Sequence, residues 1–543
     1  MVHIVFPPGW ISIHPLQPLG ISTVASCLRS AGVHANVVDF EIIIHEMNRS
    51  NPAERFPVDK FTDPSAFSAY ITSHENLDNF YKSYLAETEK LMAQANLTQS
   101  KAVVFSIIGE RQFVAAAILA GALRERGIPT VAGGCFVRDH TAWIASLGIF
   151  DALFTGFDGK GLTDFCRRVL NGSRSAKKPP TPEIYSADDP MDSLPKPFFP
   201  DYLSQRYRHC LRSMYNTENE HLVLQYRIDQ GCNRHCSFCT RFHTIYRRKT
   251  AEKVVRELRE LSVEHNANLF GLITNAVNID EAYSLHLFKE LAEQNGGLEW
   301  HAYAYPDIHK EELFPTMAAA GCRILRFGLE TVTDKMLKVL NKRFTAAHAA
   351  RSFELAHREG IWVQVSLMVG CPQETEEDIT AVCSFIERHQ HVIDSIRINP
   401  FFLQKRSAIF TRPQEYGISI RPRCGSFVGF DEVNGLPWED KVAHTLRSID
   451  RIDATRRRCG IGYFGLSSNL LLCALHENRT KANTKQWFAV AHPYTLENIS
   501  SEAMRWRFYH AHEMTLSPFR DEWSSIYGLT FEQGLQHDPA NQG

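Results

Sequence analysis

No run of 18 uncharged apolar residues occurs in this 543-residue chain, so nothing in it reads as a membrane-spanning helix. The opening MVHIVFPPGWISIHP has no basic segment leading into a long apolar stretch, and so lacks the pattern of a secretory leader. An excess of one charge is missing too. Lys and Arg number 59 against 61 Asp and Glu, a formal net charge of -2, which argues against a nucleic-acid partner. No repeat with a period of 20–50 residues is present, which excludes solenoids and propellers. A disulfide framework is also absent. Thirteen cysteines are spread through the chain, mostly singly in apolar segments, as expected of reduced thiols in a cytoplasmic protein. What remains is ordinary for a globular chain: 44% hydrophobic and 22% charged residues, enough to bury cores in roughly two to four domains.

The expected fold class is α/β. Through residue 172, short apolar runs near 3–6, 36–40, 102–108, 130–132 and 152–155 alternate with helical patterns at 20–30 and 115–126. Short strands alternating with helices of 10–15 residues predict a parallel, doubly wound, Rossmann-like sheet. The polar stretch of about 45–100 reads as a helical insertion. Residues 173–218, with KKPPTPE, DDP and LPKPFFP, carry too many prolines for regular structure and read as a linker. From 219 to 428 a second series follows: strands HLVLQYR, LFGLIT, EWHAYAY, RILRFGLE, WVQVSLMV and SIRINPF, with helices between them. Six such strands predict a partial (β/α)6 barrel. Residues 429–543 lose the alternation and read as a helical domain that closes the barrel mouth. Trp438, Tyr463, Trp487, Trp506 and Tyr509 are candidates to line the substrate pocket there, with most of them expected in the core instead.

One cysteine group is tightly spaced. GCNRHCSFCTR sets Cys232, Cys236 and Cys239 in a C-x3-C-x2-C pattern just after the first barrel strand. Three thiolates bind three irons of a cubane cluster and leave the fourth open to an exchangeable ligand. A closed structural zinc site, the other reading, needs a fourth ligand, and His235 or His243 would have to supply it. Iron with labile sulfide, or zinc, separates the two readings by metal analysis.

This spacing, with Phe238 before the last cysteine, resembles the radical S-adenosylmethionine (SAM) superfamily, and the likeness runs from about 221 to 402. The resemblance implies a [4Fe–4S] cluster whose open iron chelates SAM. An electron from an external donor such as flavodoxin or ferredoxin then produces a 5′-deoxyadenosyl radical. FGLET at 327–331 is similar to the family's "GxE" segment, which makes Glu330 a candidate SAM contact. VGCPQETEED at 369–378 looks like its "GxPgeT" turn, with Gly370 and Pro372 near the adenine and a Thr375–Asp378 capping box. LITNAVNID departs from the pattern, with Asn275 where many relatives carry Asp.

The amino-terminal region resembles the cobalamin-binding domain of one radical SAM subclass, the class B methyltransferases. FPPGW…QPLGISTVASCLRSAGVHANVVDF, then VVFSIIGERQ, VAGGCF and TGFDGKG, follow that domain's succession of strand ends and glycine turns. The resemblance implies cobalamin over the strand ends, near Ser106, Gly133, Gly134 and Gly156. A D-x-H-x-x-G motif is absent, so the implied binding is base-off, without a histidine on cobalt. Lys160 replaces the acidic residue of the family's "GeGE" turn. The implied function is methyl transfer to an unactivated carbon or a phosphinate phosphorus of a small molecule or peptide. A rearrangement or cyclisation on the same fold is the alternative. A transfer-RNA methylthiotransferase would need a second cysteine trio, and Cys27, Cys135, Cys166 and Cys210 are scattered.

Overall fold

The protein is described from a computed structural model. Residues 1–491 are described except 10–16, 64–65, 68–76, 173–180, 216–218, 241–243, 295, 422–426 and 464–467, so Trp506 and Tyr509 lie outside the described residues. Two compact units divide the chain, with the boundary between Cys210 and Leu211.

The first unit is built on a six-stranded sheet of β1 (Val2–Phe6), β2 (Ala35–Asp39), β3 (Ala102–Ser106), β4 (Thr130–Gly133), β5 (Ala152–Phe154) and β6 (Glu183–Tyr185). Its order is β2-β1-β3-β4-β5-β6, with every neighbour parallel. The chain leaves β1 to one side for β2 and returns to its other side for β3. In a doubly wound sheet that reversal opens a ligand crevice at the carboxyl ends of the strands. All five residues of β1 are buried, as expected of a strand covered on both faces.

The insertion earns its place in the core. Phe80 and Tyr81 on helix Leu77–Lys82, Leu91 and Met92 on helix Leu85–Gln94, and Tyr84 between the two join the cluster that holds Val114–Ala120 of the long helix Glu110–Glu125. At Gly121 that helix has no room for a Cβ, which would lie 2.0 Å from the Tyr81 ring.

The proline-rich stretch is not a bare linker. Glu183–Tyr185 adds the edge strand β6, and Tyr185 stacks on Phe154 with centroids 4.4 Å apart. Leu194 and Phe199 are buried, and Tyr207 donates a hydrogen bond to Asp39. Prolines there set turns around a strand too short to show periodicity.

In the second unit all six strands expected from the sequence form: β7 (Val223–Arg227), β8 (Leu269–Ile273), β9 (Glu299–Ala304), β10 (Cys322–Glu330), β11 (Trp362–Val369) and β12 (Ser395–Pro400). They pair in that order, all parallel, and a short β13 (Gly462–Tyr463) extends the sheet beyond β12. Along β10, Leu325, Phe327 and Leu329 are buried, whereas Arg326, Gly328 and Glu330 alternate with them on the inner face.

The described part of the tail is largely helical and reaches both ends of the barrel: Phe430, Trp438 and Val442 pack with Cys371, Phe401 and Phe238 at the mouth. Helix Ser468–Asn478 packs Leu470–Leu475 against Val223, Leu269, Ile324 and Trp362, which lie at or near the starts of their strands. It therefore plugs the amino-terminal end of the barrel, opposite the cysteine loop. Helix Trp438–Arg458 brings Trp438 against Phe430, ring centroids 5.5 Å apart, and Trp487 sits beside Phe488.

Candidate functional site

The cysteine loop leaves the carboxyl end of β7 and is closed at its base by a two-residue antiparallel ladder, Asp229–Gln230 against Arg247–Arg248. Behind it, Lys249 Nζ lies 2.7 Å from Glu257 Oε2, and the Tyr226 hydroxyl donates to the same oxygen at 2.6 Å. Asp229 accepts from Thr274 at 2.7 Å, and burial pushes its carboxyl up to about 7. Gly231 opens the loop with φ +84°. A Cβ there would lie 2.0 Å from the Ile245 carbonyl, so only glycine fits. Asn275 Nδ2 donates to the Gly231 carbonyl at 2.5 Å. The residue that departs from the family pattern is thus a clamp on the loop.

Cys232, Cys236 and Cys239 are partly exposed on this loop. Their spacing is held from the far side. Ser237 accepts no freedom: its N–H donates to Leu340 O at 3.1 Å and its hydroxyl to Val339 O at 2.8 Å. His235, in the left-handed region at φ +53°, has its carbonyl held by Asn341 Nδ2 at 2.7 Å. Arg234 stacks over Tyr305 at 4.5 Å and reaches Asp307 Oδ2 at 3.3 Å. Burial raises the Cys232 thiol above its ordinary value. Soft sulfur ligands on a fixed loop at the mouth of a barrel fit an iron–sulfur cluster.

Glu330 ends β10 at a bulge, with φ +66°, and its side chain is nearly buried. Lys342 faces it from the segment that also pins the cysteine loop. Its Nζ donates to Gly328 O at 2.9 Å and lies 3.4 Å from Glu330 Oε1. Burial raises the Glu330 carboxyl, and Lys342 opposes that rise. Lys342 also lies 5.4 Å from the Phe238 ring centroid and within electrostatic reach of Cys236. Nothing in the sequence singles it out, since it reaches Glu330 only when the chain folds back after helix Asp334–Val339.

In the turn 369–378, Gly370 has φ +90° and a Cβ there would meet Thr445 Oγ1 at 2.3 Å. Glu374 accepts from its N–H at 2.8 Å, Pro372 is buried, and Thr375 with Asp378 forms the expected capping box. The turn therefore has a packing reason for its glycine.

The glycines of the first unit divide. A Cβ on Gly134, at φ +109°, would lie 2.2 Å from the Ile107 carbonyl, and one on Gly156 would lie 2.3 Å from the Ala187 carbonyl. Both are required by the protein's own backbone. Gly133 differs, for a Cβ there meets only Phe154, at 3.5 Å. Ser106, paired with Gly133 at the end of β3, stands at the crevice where strand order reverses, against Gly20. Gln112 is a buried brace, donating to Pro7 O at 2.9 Å. His34 adjoins the opposite end of the sheet, and His140 packs on Phe136 at 4.4 Å. His14 lies outside the described residues.

Residues 226–386 match the family model of the radical SAM superfamily. That stretch of the chain is a radical SAM domain. Around that domain, the radical SAM methyltransferase TsrM from Kitasatospora setae, solved with cobalamin and a [4Fe–4S] cluster, shares the fold over 94% of this chain and 99% of its own, with TM-score 0.59 and 15% identity. OxsB, a cobalamin-dependent SAM radical enzyme solved with aqua-cobalamin and SAM, covers 99% of this chain and 75% of its own, with TM-score 0.53 and 12% identity. Among curated relatives, the ribosomal protein uS12 methylthiotransferase RimO of Parabacteroides distasonis is 30% identical over 177 residues. That match takes in 30% of this chain and 40% of RimO, so the chain spans about two fifths of that relative's length. No helix among the described residues is long and apolar enough to cross a membrane.

Proposed function

We propose that this radical SAM enzyme is a cobalamin-dependent methyltransferase, acting on an unactivated carbon or phosphinate phosphorus of a small-molecule or peptide natural product. One observation carries the reading. The chain shares nearly its whole length, parallel sheet and barrel together, with the fold of a methyltransferase that holds cobalamin and a cluster. Cys232, Cys236 and Cys239 hold the cluster through three thiolates and leave one iron for SAM. Glu330 would contact SAM, and Lys342, 3.4 Å from its Oε1, would orient its carboxyl group. Gly370 and Pro372 shape the turn beside the adenine. In the first unit, the crevice beside Ser106 and Gly133 would hold cobalamin, without a histidine on cobalt, while Gly134 and Gly156 keep the neighbouring turns tight. When bound, the cluster supplies the electron that cleaves SAM, and cobalamin carries the methyl group to the substrate.

A methylthiotransferase is the second reading, favoured by the RimO relatives. It needs a further reactive cysteine trio in the first unit. Cys27 and Cys166 lie on separate helices, and burial pushes both thiols up to about 12, far from reactive thiolates.

Anaerobic reconstitution of the full chain tests the proposal. About four irons and four sulfides are expected per chain. The triple variant Cys232→Ala, Cys236→Ala, Cys239→Ala should release no 5′-deoxyadenosine. Desalting after addition of hydroxocobalamin should leave about one corrin per chain. Gly133→Val, which the backbone accommodates, should lose the corrin and keep the iron. A chain that cleaves SAM and retains no corrin sinks methyl transfer through cobalt and leaves the radical SAM chemistry standing.

A further inference from the structure

The inner face of the barrel carries a further polar layer that runs from one pleat below Gly328, at Tyr303 and Arg326, to the level of Gly328, at Arg397. It is made by Tyr303 on β9, Arg326 on β10 and Arg397 on β12. In the sheet register Tyr303 pairs with Arg326, and Gly328 is level with Ser366, which pairs with Arg397. Neighbours on the same strands alternate: Ala302, Leu325, Phe327, Ile396 and Ile398 are buried against the outer helices, so these three side chains turn inward.

Two guanidinium groups there have no carboxylate bound to them among the described residues. Arg326 lies with its Cζ 3.7 Å from the centre of the Tyr303 ring, and its Nε is buried without a hydrogen-bond partner. Arg397 donates only to a neutral oxygen, Asn399 Oδ1 at 3.1 Å. Glu330 acts on Tyr303 electrostatically, but it is engaged with Lys342. Burial pulls Arg326 below its ordinary value and Arg397 adds to the shift, while the Arg326 charge holds the Tyr303 phenol below its own. Tyr303 sits mid-strand in the middle of the sheet, yet 37% of its surface is accessible. The layer therefore faces open space inside the barrel. Two half-buried cations close enough to act on each other, beside open space, are costly unless an anion completes them.

We infer that Arg326 and Arg397, with the Tyr303 hydroxyl, bind an oxyanion of the substrate, a carboxylate or a phosphate-type group, inside the barrel. This rests on the proposed function, since it makes the barrel interior the substrate site. The pair fixes the substrate by its charged end and leaves the rest of the molecule toward the cluster edge. Arginine suits the task, because its planar fork meets both oxygens of a carboxylate at once.

The test uses the full chain with its cluster reconstituted, in sodium chloride, sodium acetate or sodium phosphate at equal ionic strength. Acetate or phosphate at about ten times its dissociation constant should raise the melting temperature by about 3 °C over chloride. The stronger of the two tells a carboxylate from a phosphoryl group. Arg326→Met and, separately, Arg397→Met should abolish that rise, and either variant suffices if the other fails to fold. SAM affinity by equilibrium dialysis should stay within about twofold of wild type in both. A tenfold loss of SAM binding in Arg326→Met would reassign the guanidinium to the SAM carboxylate and overturn the inference. So would a wild-type rise no greater than in chloride. SAM cleavage by the wild-type chain, read in parallel, reports on the proposed function alone.

Discussion

Both units of this chain are parallel sheets with glycine turns at the carboxyl ends of their strands, yet they use those ends differently. In the first unit both faces of the sheet are covered at its centre, where strand β1 is buried throughout. Two of its turn glycines are filled by the protein's own carbonyls, Ile107 against Gly134 and Ala187 against Gly156. In the second unit the inner face of the sheet carries side chains that an apolar core would exclude: Arg326, Glu330, Arg397 and His301. The difference teaches where chemistry is stored. A doubly wound sheet offers a ligand only its rim, so recognition there depends on backbone and loops. A barrel offers its interior, so recognition there depends on charged groups held by their neighbours.

The largest effect expected from breaking that contrast is at Lys342. It is buried, and its loss leaves the Glu330 carboxylate buried without a counter-ion. Lys342→Met should cost about 3–5 kcal/mol of stability in the second unit. Glu330→Gln in the same chain should restore much of it, because the amide needs no counter-ion. Urea unfolding of the single and double variants measures the coupling. If the single variant is as stable as wild type, the pair is solvated and the barrel interior is less dry than its structure implies.

A smaller effect is expected in the first unit, where backbone rather than charge is at stake. Gly134→Ala puts a Cβ against the Ile107 carbonyl at a positive φ, at a cost of about 1–3 kcal/mol. Gly133→Ala, one residue away, meets only an ordinary contact and should be near neutral. The pair separates a structural glycine from one left open to a ligand. Equal destabilisation by both would mean that Gly133 is also consumed by the fold.

The barrel was legible because its strands are runs of five to nine apolar or alternating residues with helices between. The cluster loop was legible because three cysteines in eight residues have few other uses. Other features gave no such signal. β6 is three residues among prolines, and β13 is two. Helix Ser468–Asn478 is buried from Ser468 to Leu475, so no apolar stripe marks the face that meets the barrel floor. Lys342 and Arg326 were missed for a deeper reason. Lys342 meets Glu330 only because the chain folds back after helix Asp334–Val339, and an inward charge on a strand, as at Arg326, looks in sequence like an outward one until the sheet closes.

The smallest effect sharpens the comparison by pH. Each unit buries one neutral histidine on a strand. His3, on β1, is bonded to Ser100 Oγ at 2.7 Å, and burial, then the chain's amino terminus, lowers it to about 4. His301, on β9, is bonded through Nε2 to Asn469 Oδ1 at 2.6 Å, and burial, then Arg326, lowers it to about 3. Both folded values lie below the ordinary 6.5. As pH falls through 6.5 the unfolded chain takes up a proton that the folded chain refuses, so stability is intact above that point and declines toward the folded value. The decline is at most about 1.4 kcal/mol per pH unit for each residue. His301→Gln keeps a side-chain amide for Asn469 and removes the proton, so the stability lost between pH 8 and 5 should shrink by about 2 kcal/mol. His3→Gln should remove a similar share from the first unit alone, because nothing on β1 matches Arg326. Urea midpoints at the two pH values read both. If His301→Gln keeps the full wild-type decline, the imidazole is reached by water, and the barrel floor beneath the arginine layer is open rather than sealed by helix Ser468–Asn478.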